Sequence, residues 1–242
     1  MSFDGSRLLA RRHFLCACCG GGLLTALPYL ARAEDEVIVP VTEEPRHHVR
    51  SENEWIRIIE AVIPPGDISK YHRHFLDSVV ITARGGKVRA QKLGDQEMFV
   101  GPAKSGAVGY LNYLAKPLVH RVGNDGEQNL VFIDCEIMIK QPGGYAPDRR
   151  AVPAYASELD NDRVHIWRLK LAPGESASAI TQSGPGVRVV VSGDRFTERV
   201  PGSADREITP QGYTYAWTPP GMSREIINTG TNMLEMVEFE VK

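Results

Sequence analysis

The chain has 242 residues, 42% hydrophobic and 24% charged, with a formal net charge of −2. That is ordinary globular usage, and it lacks the basic excess that a nucleic-acid surface requires. Gly 23 and Pro 16 are spread along the chain, which favours many short strands joined by turns over a helical bundle.

In chain order, the first 33 residues read as an address. Arg11 and Arg12 are adjacent and precede Phe14-Leu15, an apolar stretch runs from Phe14 to Leu30, and Ala31-Arg32-Ala33 forms a small-x-small site. This resembles a bacterial twin-arginine export signal, which implies passage through the twin-arginine export machinery, cleavage after Ala33 and a periplasmic or secreted protein. A retained anchor is the rival reading, but glycines and Pro28 interrupt the run, so no stable membrane span is expected in the mature form. A lipobox-like Leu15-Cys16-Ala17-Cys18 is a third reading, although it precedes much of the apolar stretch. Cys16, Cys18 and Cys19 leave with the leader, so Cys135 stands alone and no internal disulfide is expected.

Residues 34–54 are polar and irregular and read as an N-terminal arm or first strand. Apolar stretches then alternate with turn residues: Trp55–Val62, Asp77–Ala83, Leu130–Ile139, His165–Leu171, Val187–Ser192 and Leu234–Val241. No helical period of useful length is present, so the spacing predicts an all-β sandwich or barrel. The pattern also repeats. Pro65-Gly66 matches Pro173-Gly174, the same offset carries Gly85 onto Gly193, and His120-x-x-x-Asn124 matches Arg224-x-x-x-Asn228. Two copies of one unit are therefore expected at 55–140 and 163–242, with 141–162 as a Pro/Gly-rich linker.

His72 and His74 stand at i and i+2, so on a strand they share a face and can converge on one ion. His120, from a distant strand, is the candidate third ligand. Three imidazoles suit Fe, Mn, Zn, Cu or Ni, so one divalent transition metal is expected without its identity.

These residues resemble the cupin motifs G-x5-H-x-H-x3-E-x6-G and P-x-G-x2-H-x3-N. Gly66, His72, His74 and Gly85 keep the first spacing, with Ser78 at the glutamate position; His120 and Asn124 keep the second, with Ala115 and Pro117 at its Pro and Gly positions. In the second half Gly174, Gly186 and Gly193 keep the spacing, while Ile180 and Gln182 replace the histidines; Pro219, Gly221 and Asn228 remain, with Arg224 in place of the histidine. The resemblance implies two tandem jelly-roll barrels, a bicupin whose first barrel holds a metal and whose second has lost its ligands. With the glutamate absent, the ligand set is three histidines, or three histidines plus Asp77 if a bulge re-aims that side chain.

Tyr110, Asn112 and Tyr113 precede His120 closely enough to be pocket candidates. Cys135 shares a strand face with Val131, Ile133 and Ile137, read here as a barrel interior, so it is either a small buried hydrophobe or a thiol in the pocket. His47 and His48 lie in the polar arm and are expected to be solvated. Arg224 is expected to pair with Glu175 or Glu225, with binding of a carboxylate ligand as the alternative. The resulting expectation is an exported metal-dependent protein acting on a small chelating molecule (a diketone, hydroxy acid, phenol or thiol), with oxygenase chemistry one candidate. A non-catalytic ligand- or metal-binding protein is the alternative, and both a monomer and a homodimer are compatible with the pattern.

Overall fold

A computed structural model describes residues 36–147, 152–211 and 213–242. Arg11, Arg12 and Ala33, on which the expected export signal rests, lie outside the described residues. The described chain is built from strands and one short 3-10 turn at Val41–Glu43, and contains no helix long and apolar enough to cross a membrane.

The first half runs β1 (Ile38–Pro40), β2 (His47–Glu52), β3 (Ile56–Ile63), β4 (Tyr71–His74), β5 (Ser78–Arg84), β6 (Gly86–Lys92), β7 (Phe99–Ala103), β8 (Val108–Leu111), β9 (Leu118–Asn124) and β10 (Leu130–Ile137). The second half runs β11 (Tyr155–Asp160), β12 (Val164–Leu171), β13 (Ser176–Thr181), β14 (Gly186–Ser192), β15 (Phe196–Arg199), β16 (Arg206–Ile208), β17 (Tyr215–Thr218), β18 (Ser223–Ile227) and β19 (Leu234–Val241). Each half is a two-sheet jelly roll. The first has sheets β1-β4-β9-β6-β7 and β2-β3-β10-β5-β8, and the second has β11-β12-β19-β14-β17 and β13-β18-β15-β16. Among the described residues, pairing between the strands is antiparallel except between β1 and β4. The arm is thus not loose, because β1 and β2 are woven into the first barrel's two sheets. The linker is also shorter than expected, since β11 pairs with β12 as part of the second barrel.

The repeat is visible as a shared set of hydrogen bonds. In the first barrel Gly66 turns with φ 76 and its N–H donates to the Asn124 carbonyl at 2.8 Å; in the second Gly174 turns with φ 83 and donates to the Asn228 carbonyl at 2.9 Å. Glycine reaches this left-handed region without a Cβ penalty, which explains why it stands at both turns. The Asn124 side-chain amide donates to the Ile63 and Gln128 carbonyls, and Asn228 donates in the same way to Leu171 and Asn232. Both asparagines are buried pins tying β9 or β18 to the strand before the motif turn.

The two barrels pack sheet on sheet. Val79, Ile81, Val131, Ile133, Cys135 and Ile137 of the first barrel form one buried apolar cluster with Val164, Ile166, Val187, Val189, Val237 and Phe239 of the second. The second barrel's own interior is a separate cluster around Trp167, Leu169, Ile180, Phe196, Ile226 and Met236. Strands β3, β5 and β10 are therefore buried on both faces, which is why they read as continuous apolar runs. Cys135 belongs to the face between the barrels and does not face the first barrel's interior. The alternate residues of β10, Phe132 and Asp134, line that interior.

Candidate metal centre

Strand β4 brings His72 and His74 onto one face because side chains alternate along a strand. Strand β9 pairs with β4 so that His120 stands directly opposite His72. One ring nitrogen from each of the three lies within 4.8 Å of the others, and Nε2 of His74 is 3.1 Å from Nε2 of His120. Two nitrogens about 2.1 Å from one ion stand about 3.0 Å apart at a right angle and about 3.4 Å apart at the tetrahedral angle, so the spacing fits a shared metal. His72 donates from Nδ1 to the Lys70 carbonyl at 3.0 Å, leaving its buried Nε2 without a protein partner. That orphaned atom is what a ligand position requires. Burial, and then the neighbouring imidazoles, lower the histidine pKa values to about 4 for His72, about 2 for His74 and about 3 for His120. At neutral pH all three rings are neutral, the form that binds a metal.

Behind His74 stands a carboxylate that the sequence motif does not announce. Asp134 Oδ2 lies 3.5 Å from His74 Nδ1 with no hydrogen bond between them, so a carboxylate stands beside the His74 ring on the side away from the cluster. Asp134 is buried, which together with the charge of Glu136 raises its pKa to about 7. Tyr113 covers the other side of His74, with ring centroids 4.8 Å apart and an interplanar angle of 28°. A cavity of about 220 Å³ opens from the histidines, walled by Ala61, Ile63, Val80, Val88, Leu111, Val122 and Phe132. A cavity of about 150 Å³ accepts a benzene ring, so this one suits a single-ring molecule. Lys92, directly opposite His120 in the β6–β9 pairing, lines a smaller recess that shares His120.

Asp77 is not part of the cluster. Its Oδ2 accepts from the Tyr110 hydroxyl at 2.6 Å, its Oδ1 accepts from the Leu114 N–H at 2.9 Å, and Arg163 of the second barrel lies 3.6 Å away. No bulge re-aims it, so the one-residue offset from the motif position turns it towards the junction between barrels. Tyr110 follows it to that side and packs against the inter-barrel cluster. Asn112 is exposed and accepts from the Ala115 N–H in a turn. Of the four pocket candidates only Tyr113 lines the cavity; Cys135 does not, and burial raises its thiol pKa so that it is unreactive. His48 is exposed, but His47 is buried and lines the same cavity, because β2 pairs with β3 and carries it inside.

The equivalent position in the second barrel is filled. Arg224 stands opposite Ile180 in the β13–β18 pairing, as His120 stands opposite His72. Its guanidinium donates to Gln182 and to Glu238, not to Glu175 or Glu225. Glu238 lies at the repeat position of Asp134. Both barrels thus keep an inward carboxylate, and a fixed cation in the second stands where the first gathers imidazoles.

No family model matches this chain, and no curated protein does. Solved structures do. A cupin 2 conserved barrel domain protein from Leptotrichia buccalis aligns with a TM-score of 0.53 and 11% identity over 81% of this chain and 88% of its own. A salicylate 1,2-dioxygenase variant from Pseudoaminobacter salicylatoxidans in complex with gentisate aligns with a TM-score of 0.56 and 11% identity, covering 79% and 71% of the two chains. Oxalate decarboxylase from Bacillus subtilis aligns with a TM-score of 0.50 and 12% identity over 80% and 74%. At these identities the likeness is one of architecture, and that architecture is the cupin fold.

Proposed function

We propose that the chain is an exported metal-dependent protein that binds a small chelating organic molecule on His72, His74 and His120 and transforms it there. The observation that carries this reading is the convergence of three neutral imidazoles at one end of an apolar cavity sized for a single ring. A divalent transition ion held by these residues supplies Lewis acidity and, when redox-active, electrons for an oxidation. The protein's own part is to hold and shield. The Lys70 carbonyl orients His72, Asp134 stands beside His74, Tyr113 packs on His74, and the apolar wall excludes water from the bound molecule. Lys92 beside His120 favours an anionic group on the incoming molecule. Export is supported by the twin arginines Arg11-Arg12 and the Ala31-Arg32-Ala33 site. A metal-dependent binder without turnover uses the same residues.

Metal analysis of the purified full chain tests the reading. One metal per wild-type chain is expected, with its loss in His72→Ala and His120→Ala. Asp134→Asn is expected to bind about 10- to 100-fold more weakly, as loss of a carboxylate behind a ligand does. Asp77→Ala is expected to keep the wild-type stoichiometry, since that side chain faces the other barrel. Wild-type protein without stoichiometric metal overturns the reading. Oxygen uptake over a panel of single-ring chelators then separates an oxygenase from a binder.

A further inference from the structure

The second barrel keeps a cleft where the first has its metal cavity, and charged side chains stand in its wall. Val80, Val88 and Ala90 wall the metal cavity. At the repeat offset that carries Gly85 onto Gly193, their counterparts are Arg188, Phe196 and Glu198. Val187 and Val189 pack on the other barrel, so Arg188 between them points inward. It lines a cleft of about 470 Å³ between the edge strands β16 and β17, with Phe196, Arg206, Thr209, Thr214 and Tyr215 around it. Arg188 is only 3% exposed, and a guanidinium at that depth is normally matched by acceptors. Here the match is incomplete. Nη1 donates to Glu198 Oε2 at 2.5 Å, while the other oxygen of that carboxylate accepts from Arg206 at 2.9 Å. Nε and Nη2 have no acceptor among the described residues, and neither is sealed in the core, so this edge is open to the cleft that Arg188 lines. The Phe196 ring packs beside the guanidinium, its centroid 5.5 Å from Cζ. Thr214 Oγ1 accepts from the Gln211 N–H at 3.0 Å, which leaves its own O–H to donate. The remaining acid on the cleft, Glu207, is exposed to solvent.

We propose that the second barrel is a binding site for a small organic carboxylate, held side-on by Nε and Nη2 of Arg188, with the Thr214 hydroxyl as a further donor. Two parallel N–H groups on one guanidinium edge match the two oxygens of a carboxylate, which a single ammonium cannot do. Glu198 is the positioning residue: it holds Nη1 and leaves the Nε–Nη2 edge to the ligand. The site lies in the other barrel from the three histidines and stands whether or not they hold a metal.

Fluorine NMR titration of the full chain with 4-fluorobenzoate and with its neutral isostere 4-fluorobenzamide tests this. Wild-type protein is expected to bind the acid at least about tenfold more tightly than the amide, as hydrogen bonds to a charged group require. His72→Ala is expected to keep that ratio, whereas its loss there would place the acid at the three histidines and overturn the proposal. Arg188→Met is expected to bind acid and amide equally. Arg188→Lys keeps a cation for Glu198 without the two-pronged edge and is expected to weaken the acid about tenfold, so it carries the test if Arg188→Met does not fold. Inorganic phosphate is expected to compete weakly, and competition as strong as that of unlabelled benzoate would show a general anion site and overturn the carboxylate assignment. Equal binding of acid and amide by the wild type, or an acid preference unchanged in Arg188→Lys, overturns it as well.

Discussion

Single side chains decide the electrostatics of the first barrel. Glu44 has its side chain fully buried, yet it is held ionised by His47 and two backbone N–H groups. Its folded pKa of about 2 lies below the ordinary carboxylate value near 4.5, so the folded state gains from its ionisation. That contribution is complete above about pH 4.5 and is lost as pH falls towards 2, amounting to about 1–3 kcal/mol. Denaturant melts of the metal-free protein between pH 2 and 6 are expected to show this loss in wild type and a shallower slope in Glu44→Gln. Equal slopes would remove Glu44 from the account of acid stability. Asp134 makes the complementary point, because a carboxylate buried without a guanidinium is pushed up towards neutrality and meets an imidazole instead.

At the scale of the element, the paired strands β4–β9 and β13–β18 show one frame used in two ways. Both frames keep the turn glycine and the pinning asparagine, and each faces an inward carboxylate on the central strand of the other sheet. The first frame presents imidazoles to the cavity, whereas the second presents Arg224, wholly buried and joined to Glu238. Removing one partner of such a pair strands the other charge in the core. Arg224→Met is therefore expected to cost about 3–5 kcal/mol, and Arg224→Met combined with Glu238→Leu to recover most of it. Urea unfolding of the two variants checks this, and a double variant as unstable as the single would show that the pair is not the main contributor. The sequence reading assigns Arg224 an acidic partner, Glu175 or Glu225, and the structure pairs it with Glu238 instead. Glu238 is on the next strand, which lies in the facing sheet.

For the whole molecule, the apolar face shared by β3, β5 and β10 with β12, β14 and β19 joins the two barrels through one buried cluster, which predicts that they unfold together. Val189 is fully buried in that shared cluster, so Val189→Asp places an unpaired charge between the barrels at a cost of several kcal/mol. Calorimetry is expected to show a single transition in wild type and one transition at lower temperature in the variant. Two separated transitions would show that the barrels melt independently. The sequence by itself determined the all-β class, the duplication and the convergence of His72, His74 and His120, because turn glycines, pinning asparagines and alternate strand positions act locally. It did not determine which face of a strand buried on both sides looks into the cavity. Val131, Ile133 and Cys135 are more apolar than Phe132, Asp134 and Glu136, yet the more apolar face packs on the other barrel and the mixed face lines the site. Cys135 was misplaced and Asp134 missed for that reason, although the repeat match of Asp134 with Glu238 was a usable signal. His47 had no such signal, since only the pairing of β2 with β3 carries a histidine from a polar segment into the cavity. Tertiary structure decided these positions because burial on both faces erases the amphipathic contrast by which a sequence marks inside from outside.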